Sequence, residues 1–499
     1  MSRLGVTPRR IVLAEILLLS LVLSTFLGFA VKIYHAPYLP SSEINDGFGY
    51  FMGAKSFYLN HQLRGPLLHL NMASLIGEFY CHGFAYSLIN GSAALLVGWH
   101  DKLIIDVNIV LLATAVLFIL TRHYAWPWKL AFVLVFLTYF LTPTMTFAYM
   151  QEIVHLLLAL VIGHLLFTII DREDRGRQWG LVMCYYILIA AAAAIRPPWV
   201  LWAVGGFAIV RSRRDLVVFG FLAFAYLGLG YLFFKLFYAP YPYFSPYAAT
   251  FAALSEHRII DALFAVFKPL SENFAKLFSG DFYIFGKTHI PNAYTLFIIA
   301  VTAYLYYLYR SFGDRHALAV ALVATTYIFV IFVVWDVLSG ARQIAAVFVL
   351  QLIYLVRSKK TALMVTLVVA QLAIFPAVVR ITNQVVRVQA SAGEYAVQNR
   401  AQLRMVDGLS SAVKIGRPAT IYVDNTLSNT HYPVTIHLPL RSADGYALRY
   451  SQDIGATQPM SQRVFDRQFL DFVLSKVPVT RPDLTLVYES HDLQLYRLE

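Results

Sequence analysis

The chain has little of what a water-soluble enzyme of its size carries. Only 14% of its 499 residues are charged, and two are cysteine, Cys81 and Cys184. Two cysteines, one of them inside an apolar run, make no disulfide framework and give no sign of the redox compartment. Asp and Glu are scarcer than Lys and Arg, 28 against 40. No internal repeat is visible, which counts against transporters built from inverted halves. The polar C-terminal region shows no metal-ligating cluster, Gly-rich phosphate loop or nucleophile motif.

What fills the chain instead is apolar. Hydrophobic residues make up 59% and the mean hydropathy is +0.62, more than a soluble core of this length requires. Runs long enough to cross a bilayer recur at 11–33, 103–120, 130–147, 153–170, 216–238, 293–309, 317–335 and 362–379. Three shorter runs, 181–195, 199–210 and 344–356, fall below the roughly 17 residues a crossing needs, so each borrows flanking residues or is a broken helix. The first run is longer than a signal-peptide core and reads as an uncleaved anchor. These runs predict a polytopic α-helical membrane protein with about eleven spans.

The basic residues test that count. With the N-terminus cytoplasmic, Arg3, Arg9 and Arg10 share one side with Arg122 and Lys129, then Arg172, Arg175 and Arg177, then Arg211, Arg213 and Arg214, and finally Arg310, Arg315, Arg357, Lys359 and Lys360. Dropping any short run puts later clusters on the wrong face. The net charge of +12 is therefore a topology signal and needs no nucleic-acid partner. An odd span count places the C-terminus outside.

That arrangement leaves three long segments outside: loops 34–102 and 239–292, and the tail. The membrane domain covers 1–380, and residues 381–499 read as a small water-soluble α/β domain facing the periplasm or exterior. In the tail, 391–413 and 464–477 read as helices, and 419–424, 434–438, 484–489 and 493–498 as strands. In the first loop, aromatic and leucine residues including Phe48, Tyr50 and Phe51 suit helices lying on the membrane surface. Prolines at 240, 242 and 246 make 238–247 an aromatic loop that cannot be a regular helix.

Candidate chemistry belongs on the outer side, where there is enough chain to build a pocket. The first loop carries Glu43-Ile-Asn-Asp46-Gly-Phe-Gly-Tyr50 and, later, His82-Gly-Phe-Ala-Tyr86. Farther on come Arg196-Pro197 and Gly340-Ala-Arg342. In this order the motifs resemble the GT-C superfamily of membrane glycosyltransferases, particularly the branch of protein O-mannosyltransferases and lipid A aminoarabinose transferases. The resemblance implies a GT-C-like membrane domain whose donor is a sugar on a polyprenyl phosphate. The acceptor would be a lipopolysaccharide, cell-wall glycan, glycolipid or protein, and the setting a bacterial inner membrane.

It also implies roles. Asp46 stands where a general base is expected, against the plainer reading of a solvated Asn-Asp-Gly turn. Arg342 and Arg196 stand as ligands of the departing phosphate, against snorkelling to the interface. Glu43, Tyr50, His82 and Tyr86 are acceptor-side or supporting positions, and Lys287 and His289, with Glu272 and Asp281, are further cavity candidates. Glu152 and His155 share a helix face at i, i+3, a spacing able to hold one divalent metal ion or orient an acceptor. The competing reading is a dipole-favoured N-terminal Glu and a packed His. An O-antigen-ligase-like transferase and a lipid-linked-oligosaccharide flippase are the alternatives. The flippase predicts ionisable residues along a central path through the bilayer.

Overall fold

The computed structural model describes residues 8–41, 45–63, 65, 67–69, 83–172, 175–237, 253, 256–278, 281–282, 286–287, 289–334, 342–398, 406, 408–423, 437–452, 470–475, 478–490 and 493–499. The first nine helices are α1 (Pro8–His35), α2 (Asn45–Asn60), α3 (Ala85–Val97), α4 (Leu103–Thr121), α5 (Trp126–Thr138), α6 (Leu141–Thr146), α7 (Glu152–Asp171), α8 (Arg175–Ile195) and α9 (Arg213–Phe237). Later helices are identified by their residues.

Among the described residues eight helices are long and apolar enough to cross a membrane. They lie within α1, α4, α7, α8, α9, Ile290–Phe312, Arg315–Val334 and Thr361–Gln398. The chain is a polytopic helical membrane protein. Four shorter apolar helices accompany these: 85–97, 126–138, 197–209 and 345–357.

One apolar run matches one of its two expected forms and another departs from expectation. The run 181–195 borrows flanking residues, as the C-terminal part of the 21-residue helix α8. The run 130–147 is not one helix: α5 stops at Thr138, Tyr139 is extended at ψ 128°, and α6 follows. Pro143 accounts for this, since it has no N–H to give the carbonyl four residues back, at Tyr139, and its ring would clash there.

By compactness the chain divides into two units, each drawn from separated segments. The first comprises 1–32, 108–231 and 243–386. Its centre is α7, whose Gly163 meets Leu350 and Ile353 of the helix Ala345–Arg357 so closely that a Cβ would come within 2.9 Å of both. Gln351 of the same helix donates to the Ile298 carbonyl at 2.9 Å and to Thr302 Oγ1 at 3.0 Å, so its buried amide nitrogen is satisfied. At the C-terminal end of α7, Asp171 accepts Arg357 and lies 2.9 Å from His316 Nε2. This unit also holds the two-residue strands β2 (Asp281–Phe282) and β3 (Gly286–Lys287), paired antiparallel.

The second unit comprises 33–107, 232–242 and 387–499. Helices α2 and α3 pack through small residues: a Cβ on Gly53 would stand 2.3 Å from Ser87 Oγ, and one on Gly91 2.5 Å from Phe57. Phe48, Tyr50 and Phe51 are buried in α2, not laid out on a membrane surface. The sheet recruits β1 (Leu67–His69) beside tail strands β4 (Ala419–Val423), β5 (Leu448–Gln452), β6 (Phe472–Ser475), β7 (Leu484–Ser490) and β8 (Leu493–Leu498). Its order is β1-β5-β4-β6-β8-β7, with β1, β5, β4 and β6 mutually parallel and β8 antiparallel to β6 and β7.

Asn60 Nδ2 donates to the Leu440 carbonyl at 3.0 Å and Arg449 Nε to that of Gly65 at 3.3 Å, tying loop to tail. Residues 472–475, expected within a helix, form the strand β6. Its apolar run is buried on both faces between β4 and β8, and such a run carries no periodicity to separate helix from strand. His437 and Leu438, expected to end a strand, lie in a turn, and 434–436 fall outside the described residues.

Candidate active site

In the second unit, α2 begins with Asn45-Asp46-Gly-Phe-Gly-Tyr50. Asp46 occupies its first turn, where the helix dipole favours a carboxylate. One turn on, the fully buried Tyr50 meets Tyr86 of α3 edge to face, with centroids 5.1 Å apart. Gly83, at φ +96°, makes the turn into α3 in a backbone conformation that favours glycine. The two first-loop motifs, separated by more than thirty residues in sequence, are thus joined through their tyrosines. Glu43 and His82 lie outside the described residues. Lys287 is placed in β3 by its backbone, and His289 is exposed at the N-terminal boundary of the helix Ile290–Phe312.

In the first unit the residues expected at the outer boundary converge. Pro197 follows Arg196 and drives it out of helical geometry, to φ −150° and ψ 118°, because a residue preceding proline is disfavoured in the α region. The side chain of Arg196 turns to the first turn of α7, where its Nη2 donates to Glu152 Oε1 at 3.1 Å. Arg342 brings Nη1 to 3.6 Å from that same oxygen. Glu152 is 0% exposed, Arg196 7% and Arg342 9%. The i, i+3 partner of Glu152, His155, accepts a hydrogen bond at Nδ1 from Trp199 Nε1 at 2.8 Å, and Trp199 packs against Trp202. The Trp202 carbonyl in turn accepts from Tyr185.

One buried carboxylate thus faces two guanidiniums, whose charge cannot be neutralised by proton loss. An arrangement of this kind suits an anion with several oxygens. Arg196 and Trp199 hold Glu152 Oε1 and His155 Nδ1 and leave Glu152 Oε2 and His155 Nε2 without a hydrogen bond, and among the described residues no group of three or more His, Cys, Asp or Glu side chains converges. The sequence named all four charged or titratable members of this cluster but paired Glu152 with His155. It gave no role to Trp199, whose only signal was its place three residues after Arg196.

Neither a protein-family model nor a curated protein matches the sequence. Among solved structures, an oligosaccharyltransferase from Archaeoglobus fulgidus, determined in complex with zinc and sulfate, is similar at a TM-score of 0.52. The match covers 91% of this chain and 67% of that one at 12% identity. That neighbour is a member of the GT-C fold. The likeness is one of fold: it agrees with the GT-C-like membrane architecture and does not single out the mannosyltransferase or aminoarabinose transferase branch.

Proposed function

We propose that this chain is a membrane glycosyltransferase that moves a sugar from a polyprenyl-phosphate donor to a glycan, lipid or protein acceptor. The Glu152 end of the bundle faces the periplasm or exterior of a bacterial inner membrane. The observation that carries the reading is the convergence of Arg196 and Arg342 on one buried carboxylate at one end of the bundle. A glycosyltransferase working outside the cell has no nucleotide sugar, so its leaving group is a lipid phosphate.

The acceptor hydroxyl oxygen attacks the anomeric carbon as the bond from that carbon to the phosphate oxygen breaks. The hydroxyl proton passes to a carboxylate, the role that the sequence resemblance gives Asp46, and the polyprenyl phosphate departs with the bonding electron pair. Arg196 and Arg342 stabilise the charge growing on the phosphate. Glu152 presets the two guanidiniums, so little reorganisation is required as that charge develops.

The test is turnover of a radiolabelled panel of polyprenyl-phosphate sugars by purified protein, with Asp46→Asn and Arg342→Ala alongside. Transfer or sugar release that collapses in both variants while thermal stability holds supports the reading. Absence of turnover with every donor, together with donor-lipid movement across proteoliposomes, overturns it in favour of a flippase.

A further inference from the structure

The helix Ile259–Lys276 is too charged to cross a bilayer, with Asp261, Lys268, Glu272 and Lys276 within 18 residues. Its wheel divides into three sectors. Ala262 and Asn273 are buried, and Asn273 Nδ2 donates to the Phe332 carbonyl of the helix Arg315–Val334 at 2.7 Å. Asp261, Lys268 and Glu272 form an exposed polar sector. Between these, Ile260, Leu263, Phe264, Phe267 and Phe274, continued by Phe278, form a stripe over about 100° of the wheel, interrupted by Ser271. Every one of them is exposed, Ile260 at 70% and Phe264 at 68%.

Water does not leave such a stripe bare, and the occupant follows from its surroundings. Phe274 packs on Phe332, with centroids 5.6 Å apart, and Phe329, one turn earlier on that spanning helix, is itself exposed. The stripe therefore continues the lipid-facing surface of a spanning helix. The level is fixed too: His316 of that helix meets Asp171, so its Phe332 end is the Glu152 end of α7. Pro269, inside the helix, has no N–H for the carbonyl of Ala265, on the polar side, and a freed carbonyl suits a water-facing helix and not hydrocarbon.

We infer that Ile259–Lys276 is an interfacial helix. It lies along the membrane surface at the Glu152 end, with its apolar stripe among headgroups and first acyl methylenes. It marks the bilayer boundary beside the arginine cluster. The inference rests on the membrane character of the chain and not on glycosyl transfer.

Single cysteines at Phe264, Phe267, Lys268 and Glu272, in a Cys81→Ser/Cys184→Ser background, would carry bimane in lipid nanodiscs. The lipids would bear a nitroxide quencher at acyl carbon 5 or carbon 12. Labels at 264 and 267 are expected to be quenched at least twofold more by carbon 5 than by carbon 12 and to be shielded from aqueous iodide, with 268 and 272 the reverse. Iodide reaching all four equally, strongest quenching from carbon 12, or shielding of 264 and 267 from both quenchers, as under a protein cover, would each overturn the inference. Ile260→Cys replaces any labelled variant that loses the parent's thermal transition.

Discussion

Arg196 and Glu152, 44 positions apart, form an ion pair of 3.1 Å with side-chain exposures of 8% and 1%. Charges so deeply withdrawn from water are costly to separate: removing one partner of a buried pair destabilises by about 3–5 kcal/mol, whereas replacing both with apolar residues is often neutral. Arg196→Met is therefore expected to lower the thermal transition, and Arg196→Met/Glu152→Met to recover only part of the loss, because Arg342 then loses its carboxylate partner. If the pair serves phosphate binding, the double variant recovers that stability without activity. Recovery of both, measured by turnover and thermal unfolding, would make the pair purely structural.

Arg342 stands farther from the shared oxygen, at 3.6 Å, so its contribution to stability is expected to be the smaller of the two. Arg342→Lys keeps the charge and loses the planar fork. Turnover is expected to fall about 100-fold, the order reported for removing one donor to a developing oxyanion. The thermal transition should move far less than in Arg196→Met. An unchanged kcat/KM would remove Arg342 from the reaction.

The close approach of α2 and α3 gives a steric prediction. Gly53→Ala places a Cβ 2.3 Å from Ser87 Oγ, and overpacking of this kind costs about 1–3 kcal/mol. Ser87→Ala removes that oxygen but leaves its own Cβ at 3.2 Å, so the double variant should recover most, not all, of the loss. Thermal unfolding of the three variants gives the coupling.

His437 links stability to pH. Burial, with Lys55 nearby, holds its imidazole below the ordinary histidine range, and Asp101 opposes this only in part. The folded state therefore keeps it neutral while the unfolded chain protonates it near pH 6.5, roughly. Its stability contribution is intact above that value and declines as pH falls toward the depressed folded value. His437→Gln should flatten the loss of stability between about pH 6.5 and 5; an unchanged slope would place the titration elsewhere.

Asp314 gives the opposite class of group. Its partial burial would raise the carboxyl, but hydrogen bonds from His316, the Ala317 N–H and Tyr354 outweigh that and hold it well below the usual carboxylate range. Its contribution is complete above the unfolded value of about 3.9 and fades as pH falls below it. The difference in thermal transition between the parent and Asp314→Asn should therefore narrow from pH 7 to pH 3.

The sequence by itself determined the solvent of most of this chain, because apolar runs of bilayer length are a local property that tertiary packing does not undo. It also marked the residues that assemble at the Glu152 end: a buried arginine beside a proline step and a glutamate opening an apolar helix are unusual enough to stand out. Who meets whom was decided only by the tertiary structure. Glu152 and His155, neighbours on one helix face, take separate partners in Arg196 and Trp199, because α8 and the turn after it bring those two side chains to α7. The placement of residues 67–69 as the edge strand beside β5 was likewise a pairing across some 380 positions, and strand partners at that distance leave no mark on hydrophobic periodicity. For the same reason 472–475 resembled a helix: a strand enclosed by neighbours on both faces loses the alternation that would reveal it, and β4 and β8 supplied the enclosure.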